Sequence, residues 1–440
     1  MTFHKKVVNK LVILIMSVTF VIPSSLAFAN TTTKENMTDP ITLNAKAAMV
    51  TDMETGKILY SKNIDEALGI ASMTKILTAY LVYDAIKQGK IKWTDTVPIS
   101  EELIKTTENP ELSNVPLYKD KTYTVQDLLH ASLISSANAA TSALAEFIGG
   151  TEPKFVDMMR AQLANWNIKD ATLISSSGLG TMYLGNSKYP GSPDDEENKL
   201  SARDITIVAD HLLTDFPEVL DITKLPDFTL FKSDKQETLL TNSNNMLSGK
   251  QQFYEGIDGL KTGTTDVAGN CFIGTLEKDG RRYISVVMGV DNQHSRFEET
   301  KNMLDFVFTN WKFQDISTHG QPASISELPV SLGKEDTVHL KIDGSAEAWI
   351  YKDTPKNTLA EKTNFTKTKK NNDGKPSLTA PVKKDFIVGN EVFSYSDALG
   401  FLFPEQKKDI KLSISTTRKV EKVNIFVEVW HNVTVYFKNL

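Results

Sequence analysis

Segments prone to form β-strands stand at both ends of a long helical stretch, and this arrangement limits the folds open to the chain. Near the start, AKAAMVTD and KILYSKN flank a turn at Gly56, which predicts a hairpin over residues 45–63. Three further runs, GLKTGTT, NCFIGTLE and RRYISVVMGV, lie within residues 259–290, with Asp279-Gly280 as the turn between the last two. One antiparallel sheet whose first and last strands meet would join the two groups.

Helical periodicity fills the space between these strands. Apolar residues recur at helical spacing in residues 72–87, 125–148, 154–165 and 202–213, and RFEETKNMLDFVFTNW adds an amphipathic helix after the last strand. From HGQPAS onward, TVHLKI, AEAWIY and DFIVG alternate in the β manner between turn-rich stretches. We predict an α/β (α+β) domain with an antiparallel sheet and a helical subdomain over residues 44–318, followed by a small all-β domain over residues 319–416.

The N-terminal segment carries an export signal. Three lysines, Lys5, Lys6 and Lys10, precede an apolar run over residues 11–22, and small residues follow where a signal peptidase would cut. We predict a cleaved signal peptide over residues 1–29 and a polar linker over residues 30–43. An uncleaved anchor helix is the alternative, although the apolar run is short for a bilayer span.

Charge and cysteine content narrow the function classes. Removal of the signal changes the formal charge from −6 to −9, which argues against nucleic acid as a partner. The single cysteine, Cys271, rules out an internal disulfide in an exported chain. Its setting, GNCFIGTL, favours a buried strand and a packed thiol over a reactive one.

The last residues have a second membrane signature. Large apolar side chains of residues 423–440 recur three and four apart, polar ones gather on the other side, and Arg418, Lys419 and Lys422 come just before. We predict an amphipathic helix over residues 417–440 that lies on a membrane surface near anionic headgroups. A β-strand or a helix docked on the body is the alternative, because the segment is rich in β-branched valine.

Three short motifs carry the chemistry. In GIASMTK, Ser72 and Lys75 stand one helical turn apart, so Ser72 is either a helix cap or a nucleophile with Lys75 as its base. SSANAAT places Ser136 and Asn138 within an apolar run, where polar groups need partners. GLKTGTT places Lys261 on a strand. Each motif alone is weak evidence, but the ordered set in an exported chain is specific.

The order SxxK, SxN, KTG resembles the signature of the penicillin-recognising serine acyltransferases. IASMTKILTAYLV, SARDITIVADHLL and the strands around KTG look specifically like the D-alanyl-D-alanine carboxypeptidases among the low-molecular-mass penicillin-binding proteins. The resemblance implies hydrolysis of the terminal D-alanine from peptidoglycan stem peptides, covalent binding of β-lactam antibiotics, and no cofactor. It implies a place at the outer face of the bacterial cytoplasmic membrane.

The resemblance also assigns roles to the motif residues. Ser72 would be the nucleophile and Lys75 its base, provided that burial and the charge of Lys261 keep the amine neutral. Ser136 would pass a proton to the leaving amine. Asn138 would hold the substrate amide or the Lys75 ammonium. A buried structural role for Ser136 and Asn138 is the competing interpretation.

Five further residues would bind the substrate. Lys261, Thr262 and Arg296 would attract its terminal carboxylate, Gly263 would let its backbone lie close to the strand, and the backbone N–H groups of Ser72 and Thr264 would form the oxyanion hole. The alternative for Arg296 is a surface ion pair with Glu298 or Glu299. Ser243 stands where some relatives carry a carboxylate-binding arginine, which departs from the family pattern.

Other functions are less compatible with the sequence. A transpeptidase or endopeptidase of the same family differs only in the acceptor or the bond cleaved, and it stays open. A class A β-lactamase needs a deacylating glutamate in an ExxLN pattern, which the ENKLS segment from Glu197 does not provide. A catalytically silent wall-binding module conflicts with the intact Ser72, Lys75, Ser136 and Lys261. Neither HExxH nor GxSxG occurs.

Overall fold

The structure is a computed structural model that describes residues 40–232, 234–352 and 359–424, together with residues 426, 427, 429, 430 and 433. Its α-helices are α1 (Lys75–Lys87), α2 (Glu101–Thr106), α3 (Val125–Ile134), α4 (Asn138–Gly149), α5 (Glu152–Asn165), α6 (Ala202–Asp215), α7 (Leu220–Thr223) and α8 (Ser295–Asn310). The strands up to the end of α8 are β1 (Ala47–Asp52), β2 (Ile58–Lys62), β3 (Leu68–Gly69), β4 (Thr96–Val97), β5 (Tyr123–Thr124), β6 (Lys199–Leu200), β7 (Asp227–Leu230), β8 (Thr238–Thr241), β9 (Ile257–Thr265), β10 (Gly269–Lys278) and β11 (Arg281–Val290). The strands after α8 are β12 (Trp311–Ser317), β13 (Pro322–Ser331), β14 (Thr337–Asp343), β15 (Ala346–Tyr351), β16 (Leu359–Phe365), β17 (Lys369–Lys370), β18 (Pro376–Thr379), β19 (Ile387–Tyr395) and β20 (Ile410–Thr416).

A five-stranded antiparallel sheet forms the frame of the first domain. Its strand order is β2-β1-β11-β10-β9, so the first hairpin pairs with the last strand of the body, as the sequence predicts. Asp279 and Gly280 both have positive φ, 52° and 73°, which suits the tight turn between β10 and β11. Helices α6 and α8 pack on β11, and α1 packs on α6. The sheet therefore places β9, which carries the KTG motif, at one edge.

The apolar run over residues 125–148 forms two helices rather than one. Helix α3 begins with a capping box in which Thr124 and Asp127 exchange hydrogen bonds, and it ends at Ile134. Ser136 then takes a φ of 56°, and α4 begins at Asn138. The apolar period continues across the break because α3 and α4 pack on each other. The helical periodicity predicted over residues 125–148 therefore gave no sign of the break at the residues that carry the second motif.

The C-terminal part is rich in β-structure, with a seven-stranded sheet in the order β16-β19-β20-β14-β13-β18-β17 and a core of its own. The AEAWIY segment is β-structure as predicted, but it does not join this sheet. Strand β15 pairs with β12, and Trp349 packs into the core of the first domain, where its indole Nε1 donates to Asp52 at 3.1 Å.

The two termini are described only in part. The predicted signal peptide, and the linker up to residue 39, lie outside the described residues. Residues 417–423 hydrogen-bond to the β-rich part, for example through the paired backbones of Val382 and Val420. Of the predicted tail helix, residues 426, 427, 429, 430 and 433 are described as helical and exposed, so the complete helix stays a prediction. Within the described part of the chain, no helix has the length and apolarity to cross a bilayer.

Candidate active site

The first motif forms a tight turn before α1. Ala71–Thr74 is a 3₁₀ turn, and α1 continues from it at Lys75. Neither helix start has a side-chain cap, so the interpretation of Ser72 as a cap was wrong. Lys75 points back along the helix, as side chains do, and its Nζ lies 2.8 Å from Ser72 Oγ.

Lys75 is fully buried among oxygen atoms. Its Nζ donates to Asn138 Oδ1 and to the Ser177 carbonyl oxygen, each at 2.7 Å. Burial lowers the pKa of Lys75 well below its usual value, the positive charge of Lys261 lowers it further, and the carboxyl group of Glu152 opposes both. A neutral amine has two N–H donors and one lone pair. In the neutral form, with both donors used on Asn138 and Ser177, the lone pair would face the Ser72 hydroxyl.

Glu152, which the sequence analysis missed, is a buried acid close to this lysine. It is the first residue of α5, and its Oε1 accepts from the Ser176 backbone N–H at 2.6 Å. Its Oε2 is buried and has no hydrogen-bond partner among the described residues. Burial raises the pKa of Glu152 to about 7. An acidic residue in a first helical turn is usually explained by the helix dipole, so the sequence carried no signal for this position.

Asn198 was also missed, and it fixes the loop that supplies the Ser177 carbonyl. Its Oδ1 accepts from the backbone N–H groups of Ile174 and Ser175, and its Nδ2 donates to Thr74 Oγ1 at 3.0 Å. Asn198 therefore joins this loop to the turn that carries the nucleophile. Asn198 follows Glu197 in the chain, and the sequence analysis considered the ENKLS segment that contains both residues only as a failed match to the ExxLN pattern.

The second motif lies in the break between α3 and α4. Ser136 and Asn138 are both buried, and the Asn138 side chain reaches Lys75. The backbone N–H of Asn138 donates to the Ser113 carbonyl at 2.9 Å. The structure thus brings Asn138 into contact with the first motif, with Ser136 two residues before it in the same turn.

The third motif places a buried lysine on β9. Lys261 is 1% exposed, and burial, with a smaller contribution from Arg296, lowers its pKa to about 7. Gly263 follows two residues later on the strand. A Cβ atom at Gly263 would lie 2.7 Å from the Ile70 carbonyl oxygen, so the glycine lets β9 approach the nucleophile turn. This contact within the protein, rather than an approach of substrate backbone, is the reason that the structure gives for glycine here.

Arg296 lies behind the same strand. It is 5% exposed, and its Nη1 donates to Thr264 Oγ1 at 2.9 Å and to the Gly263 carbonyl at 3.3 Å. It forms no ion pair within the described residues, so the alternative of a surface pair with Glu298 or Glu299 was wrong. Its Nε is buried without a partner, and burial lowers the pKa of Arg296 to about 10.

Thr262, the middle residue of the KTG motif, has a hydroxyl that contacts a neighbouring serine. Thr262 Oγ1 lies 2.6 Å from Ser243 Oγ, so the position that departs from the family pattern contacts the KTG motif directly. Glu197 accepts from Thr265 Oγ1 at 2.7 Å and is not among the groups that shift the pKa of Lys75. Cys271 is fully buried in β10, which confirms the predicted packed side chain, and burial raises the pKa of its thiol to about 11.

A serine hydroxyl next to a buried lysine, with an asparagine and a second lysine converging from a helix break and a strand, defines a serine acyl-transfer enzyme of the SxxK type. Residues 31–292 match the D-alanyl-D-alanine carboxypeptidase family, Peptidase S11. The chain belongs to this family and is a serine peptidase, which is the class that the sequence predicts.

Relatives match the chain along most of its length. The D-alanyl-D-alanine carboxypeptidase DacF of Bacillus subtilis is 30% identical over 388 residues, which cover 88% of this chain and 90% of that protein. The crystal structure of a peptidoglycan synthesis regulatory factor, PBP3, from Streptococcus pneumoniae is 38% identical, covers 87% of this chain and all of the other, and has a TM-score of 0.65. Penicillin-binding protein D2 from Listeria monocytogenes, crystallised in the ampicillin-bound form, is 31% identical over 61% of this chain and 98% of its own, with a TM-score of 0.51. These neighbours confirm the predicted penicillin-binding protein fold.

Proposed function

We propose that the protein removes the terminal D-alanine from peptidoglycan stem peptides that end in D-Ala-D-Ala, through an ester on Ser72. The observation that carries this proposal is the 2.8 Å contact between Ser72 Oγ and the amine of Lys75. Both N–H groups of a neutral Lys75 are used by Asn138 and Ser177. The amine can therefore accept a proton from Ser72 and cannot turn away from it.

The reaction then proceeds by two acyl transfers. Ser72 Oγ attacks the carbonyl carbon between the two D-alanines while Lys75 takes the hydroxyl proton, and the backbone N–H groups of Ser72 and Thr264 stabilise the oxyanion. The C–N bond breaks, and Ser136 relays the proton held by Lys75 to the departing D-alanine nitrogen, which leaves Lys75 neutral again. Water next attacks the ester carbonyl while Lys75 takes one of its protons, and this proton passes to Ser72 Oγ as the shortened peptide leaves. An amine in place of water would give the transpeptidase reaction.

The substrate carboxylate would meet a cationic region around β9. Lys261 and Arg296 are both buried without a carboxylate partner among the described residues, and Thr262 offers a hydroxyl beside them. Buried cations of this kind favour an anion that arrives with the substrate. β-Lactams carry a carboxylate and a strained amide, so the same groups would bind them.

We also propose export and attachment to the outer face of the cytoplasmic membrane. The lysines and the apolar run of residues 1–29 support a signal peptide. The exposed Phe426, Val429 and Trp430 support a tail that lies in a membrane surface. The predicted domain boundaries remain part of this proposal.

One experiment tests the chemistry directly. The purified protein is treated briefly with penicillin and examined by intact mass and peptide mapping, and D-alanine release is measured on a soluble peptide ending in D-Ala-D-Ala. We expect one covalent adduct on Ser72, and loss of both adduct and D-alanine release in Ser72→Ala. An adduct on another residue would end the assignment of the nucleophile.

A further inference from the structure

A pocket in the β-rich part has features of an anion site. It has a volume of about 440 Å³ and lies between β18 and the segment that leads into β19. Leu378, Val382 and Phe386 provide an apolar floor, and Lys367, Lys369 and Lys383 stand on its rim. Volumes of this order are typical of sites for small organic groups.

The charge of the rim is uncompensated. Lys367, Lys369 and Lys383 are exposed, and within the described residues none of them has a carboxylate at ion-pair distance. The acid beside them in sequence, Asp385, is paired with Lys341 at 2.7 Å. Further lysines, Lys370, Lys375 and Lys384, flank the pocket in sequence. A positive cluster of this density is unusual on a chain whose formal charge is −6.

The pocket wall is hydrogen-bonded to the residues that lead into the C-terminal tail. Thr416 Oγ1 donates to the Lys383 carbonyl at 2.7 Å, and Val382 and Val420 exchange two backbone hydrogen bonds at 2.9 Å. Five residues lie between Val420 and Phe426, so about 20 Å of extended chain is the most that separates the wall from the first exposed tail aromatic. A tail lying on a membrane would hold this pocket near the same surface.

We propose that this pocket binds the phosphate headgroup of an anionic membrane lipid. The ammonium groups of the three rim lysines would neutralise the phosphate, the Thr379 hydroxyl on the same wall would donate to it, and the apolar floor would receive the glycerol and the first methylene groups. The proposal rests on the membrane attachment proposed above, because the tail brings the pocket to the headgroups. It gives the β-rich part a role in orienting the enzyme on the membrane.

Vesicle partitioning of the full chain tests the site. The triple variant Lys367→Gln, Lys369→Gln, Lys383→Gln is compared with wild type on phosphatidylcholine vesicles and on mixed phosphatidylcholine and phosphatidylglycerol vesicles at physiological salt. A lysine at an anionic surface contributes about fivefold to partitioning, so the variant should bind mixed vesicles on the order of 100-fold more weakly. Binding to the neutral vesicles, which depends on the tail, should not change.

A matched control variant distinguishes binding at this pocket from general electrostatic attraction between the protein and the anionic vesicles. Lys90→Gln, Lys154→Gln, Lys169→Gln removes the same charge from exposed positions on the catalytic body, and it should retain wild-type binding. Equal losses in both triple variants, or no loss in the pocket variant, would overturn the proposal. D-alanine release from a soluble peptide checks that both variants are folded.

Two further outcomes are informative. A full chain that binds mixed vesicles through the rim lysines but does not bind neutral vesicles would support the pocket and remove the tail proposal.

A soluble poly(glycerol phosphate) provides the second source of the same phosphate chemistry. If the pocket variant loses binding to this polymer but keeps binding to mixed vesicles, the pocket belongs to an anionic wall polymer, and the lipid proposal is wrong.

Discussion

The amine of Lys75 has to be neutral before it can accept a proton from Ser72, and its surroundings favour that state. Burial and the charge of Lys261 both lower its pKa. The same surroundings fix its direction, because Asn138 and the Ser177 carbonyl occupy the N–H donors. Burial and Lys261 therefore lower the pKa of this side chain, whereas Asn138 and Ser177 fix its orientation.

Replacement of Lys75 by arginine should remove the base while keeping the positive charge. A guanidinium cannot lose its proton at working pH, so we expect penicillin acylation of Ser72 to slow by roughly 10²- to 10⁴-fold. Stopped-flow or quenched mass measurements of the acylation rate provide the test. Because Lys75 is fully buried, the thermal unfolding midpoint has to be measured in parallel, and the smaller Lys75→Met serves as a second variant. Near-normal acylation in a folded Lys75→Met protein would place the base elsewhere.

Glu152 should set the pH at which Lys75 becomes active. The Glu152 carboxylate raises the pKa of Lys75, and its own pKa lies at about 7. In Glu152→Gln this negative charge is absent, so the pKa of Lys75 falls and the neutral amine is present at lower pH. The acid limb of the acylation rate against pH should therefore move to lower pH.

A second buried acid supplies the control for this profile. Glu197 contacts Thr265 and does not shift the pKa of Lys75, so Glu197→Gln should leave the acid limb in place. An acid limb that stays fixed, or moves to higher pH, in Glu152→Gln would contradict the assigned role of Glu152.

At the residue scale, local spacing predicted the pair Ser72 and Lys75, and the family resemblance supplied the distant Asn138. The sequence missed the distant groups that belong to none of the three motifs. Ser72 and Lys75 are three residues apart, so helical geometry alone places them together. The Ser177 carbonyl comes from 102 residues away, and it belongs to a backbone that any residue type carries. Asn198 reaches Thr74 across 124 residues. No local pattern encodes contacts of that kind.

At the scale of elements, the site depends on how closely the loop 175–178 packs on the nucleophile turn. Gly178 has a φ of 85°, and a Cβ atom there would lie 1.9 Å from the Ala71 carbonyl oxygen. The loop and the turn therefore meet backbone to backbone. Since Ser177 immediately precedes this glycine, the position of its carbonyl depends on the same contact.

Gly178→Ala should weaken both the fold and the site. We expect a loss of about 1–3 kcal/mol from the overlap, in addition to the penalty for a positive φ, together with slower acylation because the Ser177 carbonyl moves from Lys75. Thermal unfolding and the acylation rate are the two measurements. Gly280→Ala is the control, because Gly280 has a φ of 73° but open space around it. If both variants lose equal stability and Gly178→Ala acylates normally, the close packing has no functional role.

The elements themselves were predicted best where a period and a turn signal coincide. Strands β10 and β11 and the Asp279-Gly280 turn are examples, since alternation and turn chemistry both pointed to a hairpin. The break at Ser136 was missed because the apolar period runs through it. Strand β15 was predicted as a strand, but its partner was not, because pairing with β12 depends on which core receives Trp349.

At the scale of the whole molecule, buried polar contacts connect the β-rich part to the catalytic sheet. Lys57 Nζ lies 2.8 Å from Asp397 Oδ1, with both side chains almost fully buried, and Trp349 donates to Asp52. Buried ion pairs and hydrogen bonds of this kind fix one geometry, because each partner would be costly to leave unpaired. The residues that precede the tail thus have a defined relation to the active-site domain.

Removal of the tail should release the enzyme from membranes without affecting catalysis. The cut is best made after Asn424, because residues 417–423 hydrogen-bond to the β-rich part and should be kept. Phe426 and Trp430 are 84% and 71% exposed, and each large side chain buried in a membrane surface contributes about 1.5–3 kcal/mol. Fractionation should find the shortened protein in solution, with unchanged D-alanine release from a soluble peptide. The double variant Phe426→Ser, Trp430→Ser in the full chain should partition in the same direction. A shortened protein that stays with the membranes would contradict the role of the tail as the main anchor. A shortened protein that loses activity on the soluble peptide would show that the segment belongs to the folded body.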